Sequence, residues 1–153
     1  MRRYHFIFLF LFFSSIIIGA ACNSKKNTAP AENDIDAARN FIRAALDGKF
    51  DEARIYMLAD SININFMDVA ERSYAKADTE TKNGYRAASI NMHKVTAVND
   101  STTIVIYSNS FKNDHDTLKV VKENSQWLID LKYLYQHDQE NILITKPAID
   151  SSK

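Results

Sequence analysis

Apolar residues follow three different patterns along the chain, and each pattern predicts a different kind of segment. Residues 6–18 form an apolar run interrupted only by two serines, and residues 23–33 contain no large apolar side chain. From Asp34 the apolar residues recur at helical spacing, and from Ala88 they alternate as they do in strands. The pattern predicts an apolar leader, a polar tether and one folded unit in which helices precede strands.

Three helices are predicted between residues 34 and 76. The first begins near Asp34, with Asn33 or Asp34 as its cap, and Gly48 ends it. A second helix is expected over 50–58, because two acidic residues favour its positive amino-terminal end. A third is expected over about 65–76, with an apolar side that includes Val69 and Tyr74. The polar stretch 78–85 contains Gly84 and predicts a loop.

Four strands are predicted from the alternation, over residues 89–98, 102–111, 117–122 and 126–135. Asn99 and Asp100 tolerate positive φ and predict a hairpin between the first two strands. The second strand is apolar on both faces, which indicates a central position. In the last strand Trp127 and Ile129 share one face, and Asp130 lies on the other. The tail beyond residue 136 is expected to add a short strand over 142–144.

These elements predict an α+β fold, in which N-terminal helices pack on a curved antiparallel sheet of about four strands. The order of elements resembles the cone-shaped fold of the nuclear transport factor 2-like (cystatin-like) superfamily. The resemblance covers residues 34–135, and this chain lacks the glycine usual before the last-strand tryptophan. It rests on the helix over 37–46, the step Asp47-Gly48-Lys49-Phe50-Asp51-Glu52-Ala53 and the ending Val120-Val121-Lys122-Glu123-Asn124-Ser125-Gln126-Trp127-Leu128-Ile129.

The leader has the features of an export signal, namely a basic start, an apolar run and small residues before Cys22. The sequence Gly19-Ala20-Ala21-Cys22 resembles the lipobox of bacterial lipoproteins, although leucine is commoner than Gly19 at that position. The resemblance implies a signal peptide over 1–21, a lipid on the Cys22 thiol and a flexible tether over 22–33. A single-pass anchor is the alternative, but sixteen residues of low polarity fall short of the roughly 17 to 25 that a spanning helix needs. The other alternative is a plain signal peptide followed by a free cysteine that carries no lipid.

The leader predicts that the protein is located in the cell envelope. Asn23 stands where a common inner-membrane retention signal has Asp, which favours the outer membrane. The basic pair Lys25-Lys26 replaces the acidic cluster that some lipoproteins use for surface export, and this favours a periplasm-facing anchor. The expected partners are therefore the membrane, through the N-terminal lipid, and an apolar small ligand or another envelope protein.

Composition excludes several classes of function. Lysine and arginine balance aspartate and glutamate, so no electrostatic argument for nucleic-acid binding exists. The single cysteine excludes an internal disulfide and a cysteine-based zinc site. Neither Asp114-His115-Asp116 nor His137-Asp138 with Glu140 has a recognised ligand spacing, so we expect solvated polar segments and no metal. Cofactor motifs are absent from the sequence, and no cofactor is expected.

Three residues are candidates for catalysis, because enzymes of the resembled superfamily use a carboxylate or histidine base with a tyrosine or histidine nearby. Asp130, His93 and Tyr107 are the matching residue types on predicted strands. Each also has a structural interpretation. Asp130 fits a solvated sheet face, His93 fits a bulge or strand end at the surface, and Tyr107 fits a packed side chain with its hydroxyl at the rim.

One short motif also resembles a modification site. Aspartate followed by serine or threonine and then an apolar or threonine residue occurs at Asp60-Ser61-Ile62, Asp100-Ser101-Thr102 and Asp116-Thr117-Leu118. It resembles the O-glycosylation acceptor of some envelope-dwelling bacteria.

The leading functional hypothesis is a lipid-anchored, non-catalytic domain that binds a small molecule or a protein, because the candidate catalytic residues do not form a recognised constellation. The first alternative is an isomerase- or dehydratase-like enzyme working in the cone. The second is an inhibitor or assembly factor of another envelope protein that uses the loop 112–116.

Overall fold

The computed structural model describes residues 29–133, and their fold is α+β as predicted. Four helices precede four strands, and the strands form one antiparallel sheet in the order β1-β2-β3-β4. The elements are α1 (Asp34–Leu46), α2 (Phe50–Arg54), α3 (Ser61–Lys76), α4 (Thr79–Ala87), β1 (Ile90–Asn99), β2 (Thr102–Asn109), β3 (His115–Glu123) and β4 (Gln126–Asp130).

Several sequence predictions lie outside the described residues. They are the signal peptide, the lipid site Cys22, the first part of the tether, the short strand over 142–144 and the polar cluster at His137. The last part of the predicted tether touches the domain, because the carbonyl of Ala29 accepts a 3.4 Å hydrogen bond from the Tyr56 hydroxyl. Ala31 packs against the core.

Helix α1 begins and ends where the sequence predicts. The Asn33 side chain caps it by accepting a 2.9 Å hydrogen bond from the backbone of Asp36. Gly48 follows the helix with a φ of 74° and donates its N–H to the carbonyl of Ala45 at 3.0 Å. A Cβ atom at this position would lie 2.5 Å from the Tyr74 ring, so Gly48 also permits a close approach of α3.

Helix α2 ends at Arg54, so the predicted extension to residue 58 is wrong. The backbone that follows pairs with the edge of the sheet instead. The N–H of Ile129 donates to the carbonyl of Tyr56 at 2.7 Å, and the N–H of Leu58 donates to the carbonyl of Ile129 at 3.0 Å. This pairing covers the edge of β4, which would otherwise be open.

The other two helices differ from the prediction because of their caps. α3 starts at Ser61, four residues earlier than expected, since the Asp60 carboxylate accepts from the backbone N–H groups of Ile62 and Asn63. The predicted loop over 78–85 is wrong, because most of it is α4, capped by Asp78. Helix α4 buries none of its residues, so its sequence carries no clear apolar stripe.

The sheet confirms the central position of β2, which pairs with both β1 and β3. The register shifts between Met92 and Lys94, so His93 lies at a bulge, as the broken alternation suggested. β4 ends at Asp130 rather than extending to residue 135. The reason is that the next backbone N–H, that of Leu131, donates to the side chain of Asn63 at 2.7 Å.

The core lies between the helices and the face of the sheet that we call the inner face. It contains Val105 and Leu118, both fully buried, and α1 packs on this face through its apolar side. The opposite, outer face carries the residues that alternate with these. The core cluster comprises Ala37, Ala38, Phe41, Ile42, Ala44, Phe50, Ala53, Tyr56, Met57, Met67, Val105, Leu118, Val120, Ile129 and Leu131.

Candidate functional site

A cavity of about 570 Å³ opens between the helices and the inner face of the sheet. This volume is within the range of small-molecule sites. Its wall contains five aromatic side chains, contributed by α1, α2, α3, α4 and β2. These are Phe41, Phe50, Tyr74, Tyr85 and Tyr107. The charged residues of the wall come from the loop after β2 and from β3, namely Lys112, Asp114 and Asp116, and the uncharged polar residues are Ser73, Thr81 and Asn109.

Aromatic rings form a continuous row along one side of this cavity. The Phe50 and Tyr74 rings meet edge to face with centroids 5.6 Å apart, and the Tyr74 and Tyr85 centroids are 6.3 Å apart. Behind the wall, Tyr85 meets Phe111, which does not line the cavity, edge to face at 5.1 Å. Such pairs stabilise each other and hold the rings in fixed orientations. The row therefore gives the cavity a preformed apolar side.

The Tyr74 hydroxyl is buried and has no hydrogen-bond partner within residues 29–133. A buried polar group without a partner costs roughly 1 to 3 kcal/mol. Tyr74 lines the cavity, and its ring lies against Gly48. The hydroxyl is closed to solvent, so a ligand in the cavity would supply the missing hydrogen bond only after the Tyr74 ring shifts toward it.

Tyr107 lines the cavity from the inner face of β2, directly opposite Asp116 in the register with β3. Burial raises the pKa of the Tyr107 hydroxyl well above its usual value, and the charge of Asp116 raises it further. The phenol is therefore protonated at neutral pH. It can donate a hydrogen bond to a ligand, but it is not a general base.

A single arginine holds α4 over the cavity. The Arg43 guanidinium donates to the carbonyl of Ala88 at 2.7 Å and to those of Tyr85 and Arg86 at 3.2 Å. These carbonyls belong to the carboxyl end of α4, where a cation is favourable. The Asp47 carboxylate accepts from Arg43 Nε at 2.9 Å and fixes the guanidinium. Because α4 buries no residue of its own, this attachment is its main polar link to α1.

His93 lies on the outer face, away from the cavity. Its Nε2 is 2.8 Å from the hydroxyl of the buried Ser108, and its ring lies over that of His115, with centroids 4.2 Å apart and a tilt of 33°. Nitrogen lone pairs lie in the ring planes, so two overlapping rings do not direct them at one metal ion. Residues 29–133 contain no group of three or more histidine, cysteine, aspartate or glutamate side chains able to hold a metal.

The segment Asp114-His115-Asp116 is not the fully solvated loop that its polarity suggests. His115 and Asp116 begin β3, and Asp116 is half-buried. Asp114 and Asp116 both line the cavity. The reason for the difference is tertiary, because pairing of β3 with β2 brings this polar segment to the mouth of an otherwise aromatic cleft.

Asp130 is buried on the outer face, where alternation suggested a solvated position. Its carboxylate lies 3.7 Å from the ammonium groups of Lys119 and Lys132 and 3.5 Å from the amide nitrogen of Asn63. The neighbouring lysines are therefore ion-pair partners and do not indicate solvation. Asp130 belongs to a polar network at the end of β4.

The three candidate catalytic residues do not converge. Tyr107 is on the inner face, whereas His93 and Asp130 are on the outer face. His93 stacks on His115, and Asp130 pairs with Lys119, four residues further along β3. Four residues of strand span roughly 13 Å. Within the described residues no shared cavity joins the three side chains, so Asp130, His93 and Tyr107 do not form one catalytic site.

Sequence analysis missed two residues of importance. Tyr74 was placed on the apolar side of a helix, but its unpaired hydroxyl is a tertiary feature. Asn63, which is fully buried, lay outside the predicted helix. The spacing Asp60-x-x-Asn63 at a helix start was the available signal. Val69, expected on the apolar side of that helix, is exposed.

Comparisons with protein families, with curated proteins and with solved structures find no match. The resemblance to the nuclear transport factor 2-like superfamily therefore stays a prediction. Within the part of the chain that the structure describes, no helix is both long and apolar enough to cross a bilayer.

Proposed function

We propose that this protein is a non-catalytic binding module that takes a small, largely apolar ligand in the aromatic cavity. The observation that carries the proposal is the buried, unpaired Tyr74 hydroxyl in the wall of a cavity of about 570 Å³. An apolar body would pack against the ring row, and one polar group of the ligand would pair with Tyr74.

Binding is favoured over catalysis by the positions of the candidate residues. Tyr107 is a protonated hydrogen-bond donor in the cavity wall. His93 and Asp130, the other candidates, lie on the opposite face of the sheet. The cavity thus offers hydrogen-bond donors and acceptors with an apolar wall, which suits recognition.

We propose further that the domain is held at a bacterial membrane by a lipid on Cys22. The leader sequence and the lipobox-like ending at Cys22 support this. Cys22→Ala is expected to abolish incorporation of a labelled fatty acid and to block processing, whereas the neighbouring Ser24→Ala changes neither. A labelled and normally processed Cys22→Ala protein would contradict the anchor.

Occupation of the cavity can be tested with a matched pair of substitutions on α3. Ala70 and Ala75 are both exposed, but only Ala70 lines the cavity. The full chain is extracted from membranes of the expression host in mild detergent, and bound small molecules are detected as mass adducts by native mass spectrometry. We expect an adduct that Ala70→Phe removes and Ala75→Phe retains. Absence of any adduct, or equal loss in both variants, would contradict the proposal.

A further inference from the structure

Strand β1 forms one edge of the sheet, and within residues 29–133 no strand pairs with the side of β1 that faces away from β2, which we call the free edge. Every residue from His93 to Asn99 is exposed, so this half of β1 is covered on neither face. Val95 is 41% exposed and Val98 is 60% exposed, which places two β-branched apolar side chains in solvent. An exposed edge strand of this kind is a template for pairing with another strand.

The pairing of β2 shows which backbone groups of β1 lie at the free edge. In an antiparallel sheet, successive residues of a strand direct their hydrogen bonds to opposite sides. The N–H of Lys122 donates to the carbonyl of Ser101 at 2.8 Å, so the odd-numbered residues of β2 bond to β3 and the even-numbered ones bond to β1. Val95 and Ala97 pair with odd-numbered residues of β2. Their N–H and C=O groups therefore point to the free edge.

A second copy of β1 fits the free edge in an antiparallel register. When Thr96 of one copy lies opposite Thr96 of the other, Val95 of each copy lies opposite Ala97 of the other. Each such pair exchanges both of its outward backbone hydrogen bonds. Lys94, the only lysine, arginine, aspartate or glutamate of β1, then lies opposite Val98, so like charges are not directly opposed. The central pair of threonines is itself favourable across strands.

We propose that β1 is a contact between two copies of this chain, which join their sheets edge to edge about a two-fold axis at Thr96. The same residues serve both copies, as a two-fold contact requires. Bulges between Met92 and Lys94 and between Ala97 and Asn99 limit the regular stretch to residues 94–97. The contact is therefore short, and its register is centred on Thr96. It is separate from the aromatic cavity and does not depend on a ligand there.

Disulfide trapping tests the proposed register. Opposite residues of a non-hydrogen-bonded pair have Cα atoms about 4.5 Å apart, which a disulfide can span. Thr96→Cys in the full chain, mildly oxidised in membranes of the expression host, should give at least about fivefold more covalent dimer on a non-reducing gel than Lys94→Cys. Lys94 is exposed on the same strand, but its two copies would lie on the order of 13 Å apart. The unmodified chain controls for any reaction at Cys22.

A charge substitution tests the contact in a second way. Thr96→Lys places two lysines opposite each other at the axis and should reduce the dimer detected by native mass spectrometry about fivefold. Gln126→Lys adds the same charge at an exposed position of β4 and should leave the dimer unchanged.

Three outcomes would overturn the proposal. Equal yields of covalent dimer from Thr96→Cys and Lys94→Cys would overturn the register. Equal dimer in Thr96→Lys and Gln126→Lys would overturn the contact through β1. A chain that is monomeric by mass spectrometry and gives no covalent dimer at Thr96 would show that no second copy occupies the free edge. Circular dichroism checks that each variant is folded.

Discussion

The two ends of this small domain differ in whether a buried polar side chain has hydrogen-bond partners. The end where α3 begins and β4 finishes is called the closed end because its buried amide is paired: Asn63 accepts from the N–H of Leu131 and donates to the carboxylate of Asp60, both at 2.7 Å. A second cavity, of about 660 Å³, lies beside this end and is lined by Asp60 and Lys132. At the cavity end, the buried Tyr74 hydroxyl has no partner in the described part of the chain. The buried amide at the closed end has its hydrogen-bond partners, whereas the buried hydroxyl at the cavity end has none within residues 29–133.

The helices are also held in place differently at the two ends. At the closed end, Lys132 pairs with Asp60 at 2.7 Å and so links the end of the sheet to the cap of α3. At the cavity end, α4 has no fully buried side chain and is held by the guanidinium of Arg43 and by the ring contacts of Tyr85. Satisfied polar groups thus fix the fold at one end. The unsatisfied group and the helix without fully buried side chains support the proposal that the other end is the binding site.

The largest expected effect is a loss of stability caused by a substitution at the closed end. Asn63→Leu leaves the N–H of Leu131 without its acceptor and removes one of several hydrogen bonds to the Asp60 carboxylate, and we expect a loss of about 3 kcal/mol in the free energy of unfolding. This corresponds to a fall in Tm of roughly 15 °C. Asn65→Leu, an exposed change on the same helix, is the control. Thermal unfolding followed by circular dichroism measures both, and similar Tm values for the two variants would contradict the role of Asn63.

A smaller and more local effect is expected at the cavity end. Arg43→Gln removes hydrogen bonds to three carbonyls of α4, and the local stability of that helix should fall by about 1 to 2 kcal/mol. Amide hydrogen exchange in α4 should accelerate by roughly tenfold or more, with little change in the sheet. Arg39→Gln, on the exposed side of α1, should leave α4 unaffected. Unchanged exchange in Arg43→Gln would show that α4 is held in another way.

Acid should weaken the closed end in a defined direction. The Lys132 hydrogen bond, with the backbone of Asn63, lowers the pKa of Asp60 below its ordinary 3.8. Because this pKa is depressed, the stabilisation is complete above pH 3.8 and is lost as the pH falls towards the folded-state value. Lys132→Gln should therefore show a shallower loss of stability below pH 4 than Lys122→Gln, measured by urea unfolding. An equal dependence of stability on pH in the two variants would contradict a stabilising ion pair between Lys132 and Asp60.

The sequence predicted those features that have local signals. Helix α1 has a capping Asn33 and a terminating Gly48, and both positions were predicted. The bulge at His93 was visible as a break in alternation. Helix α4 was missed, because a helix without buried residues has no apolar periodicity.

The candidate site was predicted only in part. Tyr107, one of the candidates named from the sequence, lines the cavity. The pairing of Tyr74 with Gly48, and the position of Asp116 opposite Tyr107, depend on contacts between distant segments. No local pattern encodes which buried hydroxyl remains without a partner.

The comparison of the two ends is tested most directly by Tyr74→Phe. Removing an unpaired buried hydroxyl should leave the free energy of unfolding unchanged or raise it by about 1 kcal/mol, because no hydrogen bond is lost. The same variant should retain less of the bound small molecule that native mass spectrometry detects in the unmodified chain. Tyr56→Phe, which removes a hydroxyl that does have a partner, should lower stability and leave that retention unchanged. A clear loss of stability in Tyr74→Phe, with unchanged retention of the small molecule, would show that the hydroxyl serves the fold and would contradict the account.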